Sequence, residues 1–149
     1  VWTGAQAIGG EWGHMSIDPA GVACYCWRRG CVETLISGSG LQRQWKERHG
    51  EARALADIVS ASRAGDAEAR RFMSDFLENF GRALGNLINL LDPDMVVLGG
   101  GVSNIDELYT EGVAAVRRNI FSDSLETPIV RHQLGDSAGV FGAALNGVA

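Results

Sequence analysis

Three cysteines and one histidine lie close together near the start of the 149-residue chain. Cys24, Cys26 and Cys31 fall within eight residues, and His14 stands ten positions before the first of them. Thiolate sulfur and imidazole nitrogen are the usual ligands of structural zinc, which takes four protein ligands in a tetrahedron. An odd number of cysteines in a chain without a signal-peptide pattern makes a disulfide a poor alternative. The pattern predicts a structural zinc site, with buried or free cysteines as the other interpretation.

The segment that carries the cysteines is predicted to have little regular secondary structure to stabilise it. Residues 18–32 contain Pro19, Gly21 and Gly30 as well as the three cysteines, which is typical of a short irregular loop. A structural zinc supplies about 10 kcal/mol or more of folding free energy. We therefore expect removal of the metal to loosen residues 14–33 first.

Two acidic residues flank this loop. Glu11 precedes His14 by three positions, and Glu33 follows Cys31 by two. Ionised carboxylates accept hydrogen bonds and sugar hydroxyls donate them, so the pair is suited to holding adjacent hydroxyls. From these residues alone, a solvated loop acid and an acid that favours a helix N-terminus remain the simpler interpretations.

A run of three glycines, Gly99, Gly100 and Gly101, follows the apolar residues 95–98. Open α/β sheets bind ligands at the ends of their strands, and a side chain at such a point would block a nucleotide. A tight turn between a strand and a helix is the alternative interpretation of the same run.

The remaining sequence predicts an α/β domain from alternating helical and strand patterns. The predicted elements are helices at 33–37, 41–48, 51–63 and 67–91, a strand at 95–98, helices after 103, a strand at 128–130 and a final helix at 138–148. Helix 67–91 has the clearest apolar periodicity, and Phe76 and Phe80 are expected in the core. Pro93 should end this helix, because proline has no backbone N–H and disfavours helical geometry at the preceding residue.

Several positions carry more specific expectations. Gly81 and Gly85 each cost about 1 kcal/mol relative to alanine inside a helix, so a closely packed neighbour should press on their face. Residues 95–98 form an unbroken apolar run, which is typical of a strand covered on both faces. Ser103 or Asn104 is expected to cap the next helix.

Composition narrows the class of protein. The formal net charge is −5, with 46% hydrophobic and 21% charged residues, which indicates one folded domain over 1–149. No Lys/Arg cluster is long enough for general binding to a phosphate backbone, so nucleic acid is not an expected partner. No apolar stretch reaches the roughly 18–20 residues that cross a bilayer, and a cytoplasmic location is expected. The chain begins at Val1, and we expect it to be part of a longer protein.

Five motifs follow one another across nearly the whole chain. They are Gly10-Glu11-Trp12-Gly13-His14, Cys24-x-Cys26-x4-Cys31-x-Glu33, Ser37-Gly38-x-Gly40, the run from Asp92 to Gly101, and the run from Gly135 to Ala144. Together they resemble the ROK family of bacterial sugar kinases and sugar-responsive repressors. The wording around the cysteines is most similar to the fructokinase branch. One departure is Trp27, which stands where the family usually has glycine and would be strained in a left-handed conformation.

The resemblance implies the C-terminal lobe of the hexokinase/actin-like (RNase H-like) ATPase fold, with sugar and ATP bound between two lobes. It implies that Glu11, His14 and Glu33 contact the sugar. One ring nitrogen of His14 would bind zinc, and the other would be left as a fixed N–H donor. The glycine run 99–101 would lie against the adenosine of ATP.

By the same resemblance, the full-length enzyme would use ATP and magnesium to phosphorylate the 6-hydroxyl of a hexose, with fructose indicated by the closest branch. No residue here matches the family's first phosphate-binding loop or its catalytic aspartate, so the chain alone is expected to be inactive. The sugar-sensing effector domain of a ROK repressor is the alternative. A fragment stapled by zinc without a ligand of its own is a third interpretation.

Other residues are expected at an interface, at the surface, in a cleft or at a helix cap. Family members often form dimers, and the Gly81/Gly85 face or an exposed apolar strip is a candidate interface. His49 and His132 are expected at the surface, and the tryptophans at 12 and 45 either pack in the core or line a cleft. Asp136 and Ser137 are expected to cap the last helix.

Overall fold

Helix α4 (Ala67–Leu91) is the centre around which the other elements pack. It begins where the side chain of Asp66 accepts a hydrogen bond from the backbone N–H of Ala69 at 2.7 Å. It ends where Asp92 takes a left-handed conformation with φ of 41°, just before Pro93. The predicted bounds of this helix are confirmed, because strong periodicity, an N-cap and a proline all point to the same segment.

The structure is a computed structural model, and it describes residues 4–135 and 138–146. The other elements are α1 (Val32–Ile36), α2 (Gly38–His49), α3 (Leu55–Ala64), β1 (Val96–Leu98), α5 (Glu111–Arg117), β2 (Ile129–Arg131) and α6 (Ala138–Asn146). Short 3-10 helices occupy Trp12–His14, Gly101–Asn104 and Asp106–Tyr109. The predicted α/β order is confirmed. None of the helices in the described part of the chain is both long and apolar enough to cross a membrane.

The core lies between α4 and the helices α1, α2, α3 and α5. Its largest fully buried side chains include Phe76, Leu41, Ile58, Leu84 and Leu108. Phe80 is 4% exposed, so both phenylalanines predicted for the core are there. Trp45 is also buried in this cluster, at 3% exposure, and His49 stacks on its ring with centroids 4.0 Å apart.

The two interior glycines of α4 allow α5 to approach closely. A Cβ atom at Gly81 would lie 2.5 Å from the Cβ of Ala115, and one at Gly85 would lie 2.7 Å from the Cβ of Asn119. The expected close neighbour is thus confirmed, and it belongs to the same chain. The proposal that this face is a dimer interface is wrong, because α5 already covers it.

The sheet among the described residues has two parallel strands, with Val96 opposite Ile129 and Leu98 opposite Arg131. The expectation that residues 95–98 are covered on both faces is wrong here. Val96 and Leu98 pack against the core, whereas Val97 points to the opposite face and is 58% exposed. Helices of the described chain cover only one side of this short sheet.

Several helix starts differ from the sequence prediction. Ser37 caps α2 by accepting a hydrogen bond from Gly40 N at 3.0 Å, so Gly38 and Gly40 lie inside the helix rather than before it. Ser103 and Asn104 do not cap α5, because both belong to a 3-10 helix. The hydroxyl of Ser103 instead donates to the carbonyl of Gly100 at 2.6 Å.

His132 also departs from its expected place at the surface. Both of its ring nitrogens are buried, without a hydrogen-bond partner among the described residues. It follows β2 directly, and its backbone N–H donates to Leu98 O at 2.9 Å. The expected cap residues Asp136 and Ser137 lie outside the described residues.

We expect Gly81→Ala to lower the free energy of unfolding by about 1–3 kcal/mol, because the added methyl group overpacks the α4–α5 contact. Gly142→Ala in α6 is the matched control, since a Cβ there meets no atom within 4 Å. The control should raise stability by about 1 kcal/mol, as alanine is the better helix former. Urea unfolding of both variants measures the difference, and equal stability of the two would contradict the close packing.

Candidate functional site

The cysteine loop runs from the 3-10 helix at Trp12–His14 to the first residue of α1 and turns back on itself. The backbone N–H of Ile17 donates to Gly30 O at 2.9 Å, and that of Val32 donates to Met15 O at 2.9 Å. Gly30 has φ of 58°, and a Cβ there would lie 1.8 Å from Asp18 O, so only glycine fits. These contacts bring the two ends of the loop together.

The four predicted metal ligands meet in one place. The nearest ligand atoms of His14, Cys24, Cys26 and Cys31 all lie within 4.8 Å of one another. The Cys26 and Cys31 sulfurs are 3.5 Å apart, and Cys24 Sγ is 3.7 Å from His14 Nδ1. Zinc bond lengths of about 2.0–2.3 Å place tetrahedral ligands about 3.5–3.8 Å apart, so the spacing fits a zinc ion. All three cysteines are free, and no disulfide is formed.

The thiols of this cluster have opposite electrostatic surroundings. Burial, together with the neighbouring sulfurs of Cys26 and Cys24, raises the pKa of Cys31 to about 12. A hydrogen bond from the backbone of Arg28 lowers the pKa of Cys26 to about 6. Three adjacent thiolates repel one another, so a positive charge among them favours full deprotonation of the set. A divalent cation supplies such a charge.

Of the two acidic residues expected to bind sugar, the structure brings Glu33 close to His14. Glu33 lies in the first turn of α1, and its Oε2 is 3.8 Å from His14 Nε2. Glu11 directly precedes the 3-10 helix and is exposed. The imidazole therefore has one nitrogen directed to the sulfurs and the other directed to the side of Glu33.

Tyr25 joins this group, and the sequence analysis missed it. Its hydroxyl lies 2.7 Å from His14 Nε2, and the two rings meet edge to face. Desolvation and the negative charge of Glu33 raise the pKa of this phenol, and Glu11 adds to the effect. Its place in the sequence could have indicated this contact, because the side chain of a residue between two ligands of one ion points away from that ion.

The glycine run faces open space at the end of β1. No atom lies within 4 Å of a Cβ placed on Gly99, Gly100 or Gly101, and Gly100 has φ of 74°. A cavity of about 540 Å³ adjoins Gly101, the last residue of the run, between α2 and α3 and is lined in part by Gly38 and Leu55.

A second cavity, of about 500 Å³, is lined by all three glycines and mainly by apolar groups, among them Trp12 and Leu84. Trp12 thus both packs against the core and lines a cleft. The residues of α3 at the first cavity had not been predicted to belong to a site, because apolar residues at a helix start resemble ordinary core.

Trp27 takes the conformation that its place in the motif suggested. Its φ is 68°, its side chain is 97% exposed, and its N–H donates to Cys24 O at 3.1 Å. The exposed indole gains little from packing, so nothing offsets the cost of a left-handed conformation at a residue with a Cβ atom.

We expect Trp27→Gly to raise the free energy of unfolding by about 0.5–1 kcal/mol. Glycine avoids the left-handed cost of about 1–2 kcal/mol, less the entropy it gains in the unfolded chain. Trp27→Ala is the control, because it removes the same indole but keeps a Cβ atom and should bring no gain. Denaturant unfolding of the intact protein compares the two, and an equal effect of both variants would argue against backbone strain.

Comparison with known proteins shows which family this chain resembles. The model of the ROK family matches residues 1–146. An N-acetyl-D-glucosamine kinase of Pectobacterium carotovorum is 35% identical over an alignment that covers 95% of this chain and 50% of that protein. The chain thus spans about half the length of the curated relatives it matches.

Solved structures give the same result. A ROK hexokinase from Thermus thermophilus superposes with a TM-score of 0.87 at 34% identity, covering 97% of this chain and 49% of that one. A ROK glucokinase from Streptomyces griseus, in complex with glucose and AMPPNP, gives 0.79 at 27% identity, covering 94% and 51%. A ROK transcriptional regulator, a homologue of the E. coli MLC protein, gives 0.69 at 28% identity, covering 90% and 37%.

The family match extends over nearly the whole chain and includes every predicted ligand and both acidic residues. The protein therefore belongs to the ROK family.

Proposed function

We propose that this chain is the sugar-binding lobe of an ATP-dependent hexose kinase, in which Glu11, His14 and Glu33 contact the sugar. The main observation behind this proposal is that the two ring nitrogens of His14 face different groups. Its Nδ1 lies 3.7 Å from Cys24 Sγ, and its Nε2 lies on the side of Glu33. One imidazole thus belongs both to the metal cluster and to the acidic group.

A zinc ion held by His14, Cys24, Cys26 and Cys31 would be structural, because all four positions are filled by protein. When bound, the ion supplies positive charge for the thiolates and holds the loop together. With Nδ1 committed to the metal, the proton of the neutral ring resides on Nε2. His14 then donates a hydrogen bond to a sugar oxygen, while Glu11 and Glu33 accept bonds from sugar hydroxyls.

The glycine run 99–101 is proposed to lie against the adenosine of ATP. Its open surroundings and the adjoining cavity of about 540 Å³ leave room for a nucleoside. In the intact enzyme, ATP would supply the transferred phosphoryl group and magnesium would neutralise its charge. The acceptor is the 6-hydroxyl of the hexose, and the base that takes its proton belongs to a part of the family pattern that this chain does not match.

The substrate is proposed to be a hexose of the glucose type, and N-acetylglucosamine is the first candidate. The expectation of fructose rested on the residues of the cysteine motif, whereas the matched relatives include N-acetyl-D-glucosamine kinases and a similar structure holds glucose. The effector domain of a repressor remains the second candidate, because a ROK regulator shares this lobe. Phosphorylation of a sugar by the intact protein with ATP separates the two, since a repressor would bind sugar without consuming ATP.

We expect Glu33→Gln to weaken sugar binding by the intact protein about 10- to 100-fold, because a hydrogen bond to a charged group contributes about 1.5–3 kcal/mol. Calorimetric titration with N-acetylglucosamine, glucose, mannose and fructose measures the affinity. Glu47→Gln is the matched control, since Glu47 is exposed on α2 and pairs only loosely with Arg43 at 4.0 Å. Unchanged affinity in Glu33→Gln would rule out the proposed sugar site.

We expect elemental analysis to find one zinc ion per chain and Cys26→Ser to lose it. Removal of the ion by a chelator should speed amide hydrogen exchange in residues 14–33 first, while α4 keeps its protection, because the loop has few other contacts. Cys26 suits this test because it is only partly buried. A metal-free preparation with the same exchange rates in the loop would overturn the zinc proposal.

A further inference from the structure

The hydroxyl of Tyr25 occupies the solvent-facing nitrogen of His14. The oxygen is 2.7 Å from Nε2, which is an ordinary hydrogen-bond distance. The ring centroids are 4.9 Å apart with an interplanar angle of 88°, so the phenol also contacts the imidazole through its ring. Tyr25 is therefore a specific partner of His14 rather than a passing neighbour.

The proposed ligand role of His14 leaves this nitrogen with one hydrogen atom to donate. With Nδ1, which faces Cys24, taken by the proposed metal, the proton resides on Nε2 and the phenol oxygen accepts it. Glu33 Oε2 is 3.8 Å away, which is too far for a hydrogen bond. A single N–H makes one strong, straight hydrogen bond, so Tyr25 and a sugar oxygen cannot both receive it.

The phenol is free to leave this position. Tyr25 is 70% exposed, so rotation about its side-chain bonds meets little packing. Its backbone lies between the ligands Cys24 and Cys26, which keep the loop in place when the side chain turns. The cost of opening is then mainly the hydrogen bond and the ring contact with His14.

We propose that Tyr25 is a positioning residue that caps His14 Nε2 in the sugar-free protein and must turn away before a sugar oxygen accepts the same hydrogen bond. This inference rests on the proposed function, since it takes His14 as a sugar contact. The cap keeps the imidazole oriented, and it also competes with the sugar. The measured sugar affinity is lower than the intrinsic affinity by the fraction of molecules in which His14 is uncapped.

Tyr25→Phe tests the cap, because it keeps the ring and removes only the hydroxyl. A hydrogen bond of ordinary net strength implies that this variant binds sugar about two- to tenfold more tightly. The chain has two tyrosines, and Tyr109→Phe is the matched control. Its hydroxyl donates to Ser103 O at 2.8 Å, away from the cysteine loop, so its removal should leave sugar affinity unchanged.

The measurements are calorimetric sugar affinity and the solvent exchange of the His14 Nε2–H proton by NMR, both on the zinc-loaded intact protein. Zinc content should be the same in wild type and both variants. Without sugar, the Nε2–H proton should exchange faster in Tyr25→Phe than in wild type, because it has lost its acceptor. A merely structural role of the ring would not change that rate.

The outcomes separate this inference from the proposed function. Equal or weaker sugar binding by Tyr25→Phe overturns the competing cap, and a loss of affinity would make Tyr25 a direct sugar contact instead. If wild type binds none of the four sugars, the proposed function fails, and the proton exchange alone then decides. Faster exchange in Tyr25→Phe supports the cap on His14, and unchanged exchange overturns it.

Discussion

The convergence of three sulfur atoms and one imidazole nitrogen is the constraint on which the site depends. The four ligand atoms lie within 4.8 Å of one another, and a positive charge among them favours the thiolate form of the three cysteines. Cys31 shows how many features of the structure depend on this cluster. Its side chain is fully buried, it pairs with Ser16 across the loop, and it is the residue from which α1 begins. Glu33 follows in the first turn, so the cluster also sets the position of an acidic side chain.

The cysteine loop is connected to the glycine-lined cavity through α1 and α2. Thr34 Oγ1 donates to Cys31 O at 2.7 Å, and Gln44 Nε2 donates to Thr34 O at 2.9 Å. Both side chains are buried, so these bonds are shielded from water and costly to leave unmade. A Cβ at Gly40 would lie 2.6 Å from Thr34 O, which shows how closely the two helices approach. The start of α2 then lines the cavity beside Gly101, so the proposed sugar and nucleotide positions share one short rigid connection.

The sequence predicted those features that local chemistry determines. The bounds of α4 followed from periodicity and Pro93, and the convergence of His14 with the three cysteines followed from residue type and spacing. The exposure of Val97 could not be predicted, because an apolar strand carries no information on how many layers cover it. Tyr25 was missed because its contact with His14 depends on where a side chain points, which the spacing of the ligands does not state.

Because one imidazole serves two purposes in the proposed site, metal binding and sugar recognition are thermodynamically coupled. A metal at Nδ1 favours the tautomer that donates from Nε2, so each ligand strengthens the binding of the other by the same factor. Tyr25 reduces the cost of keeping that donor ready, since it satisfies the Nε2–H group while no sugar is present. The same hydrogen bond must be broken when sugar binds. The phenol therefore lowers the sugar affinity but keeps the imidazole oriented for binding. An exposed side chain suits this role, because its release leaves no cavity and disturbs none of the buried contacts that hold Cys31 and α1.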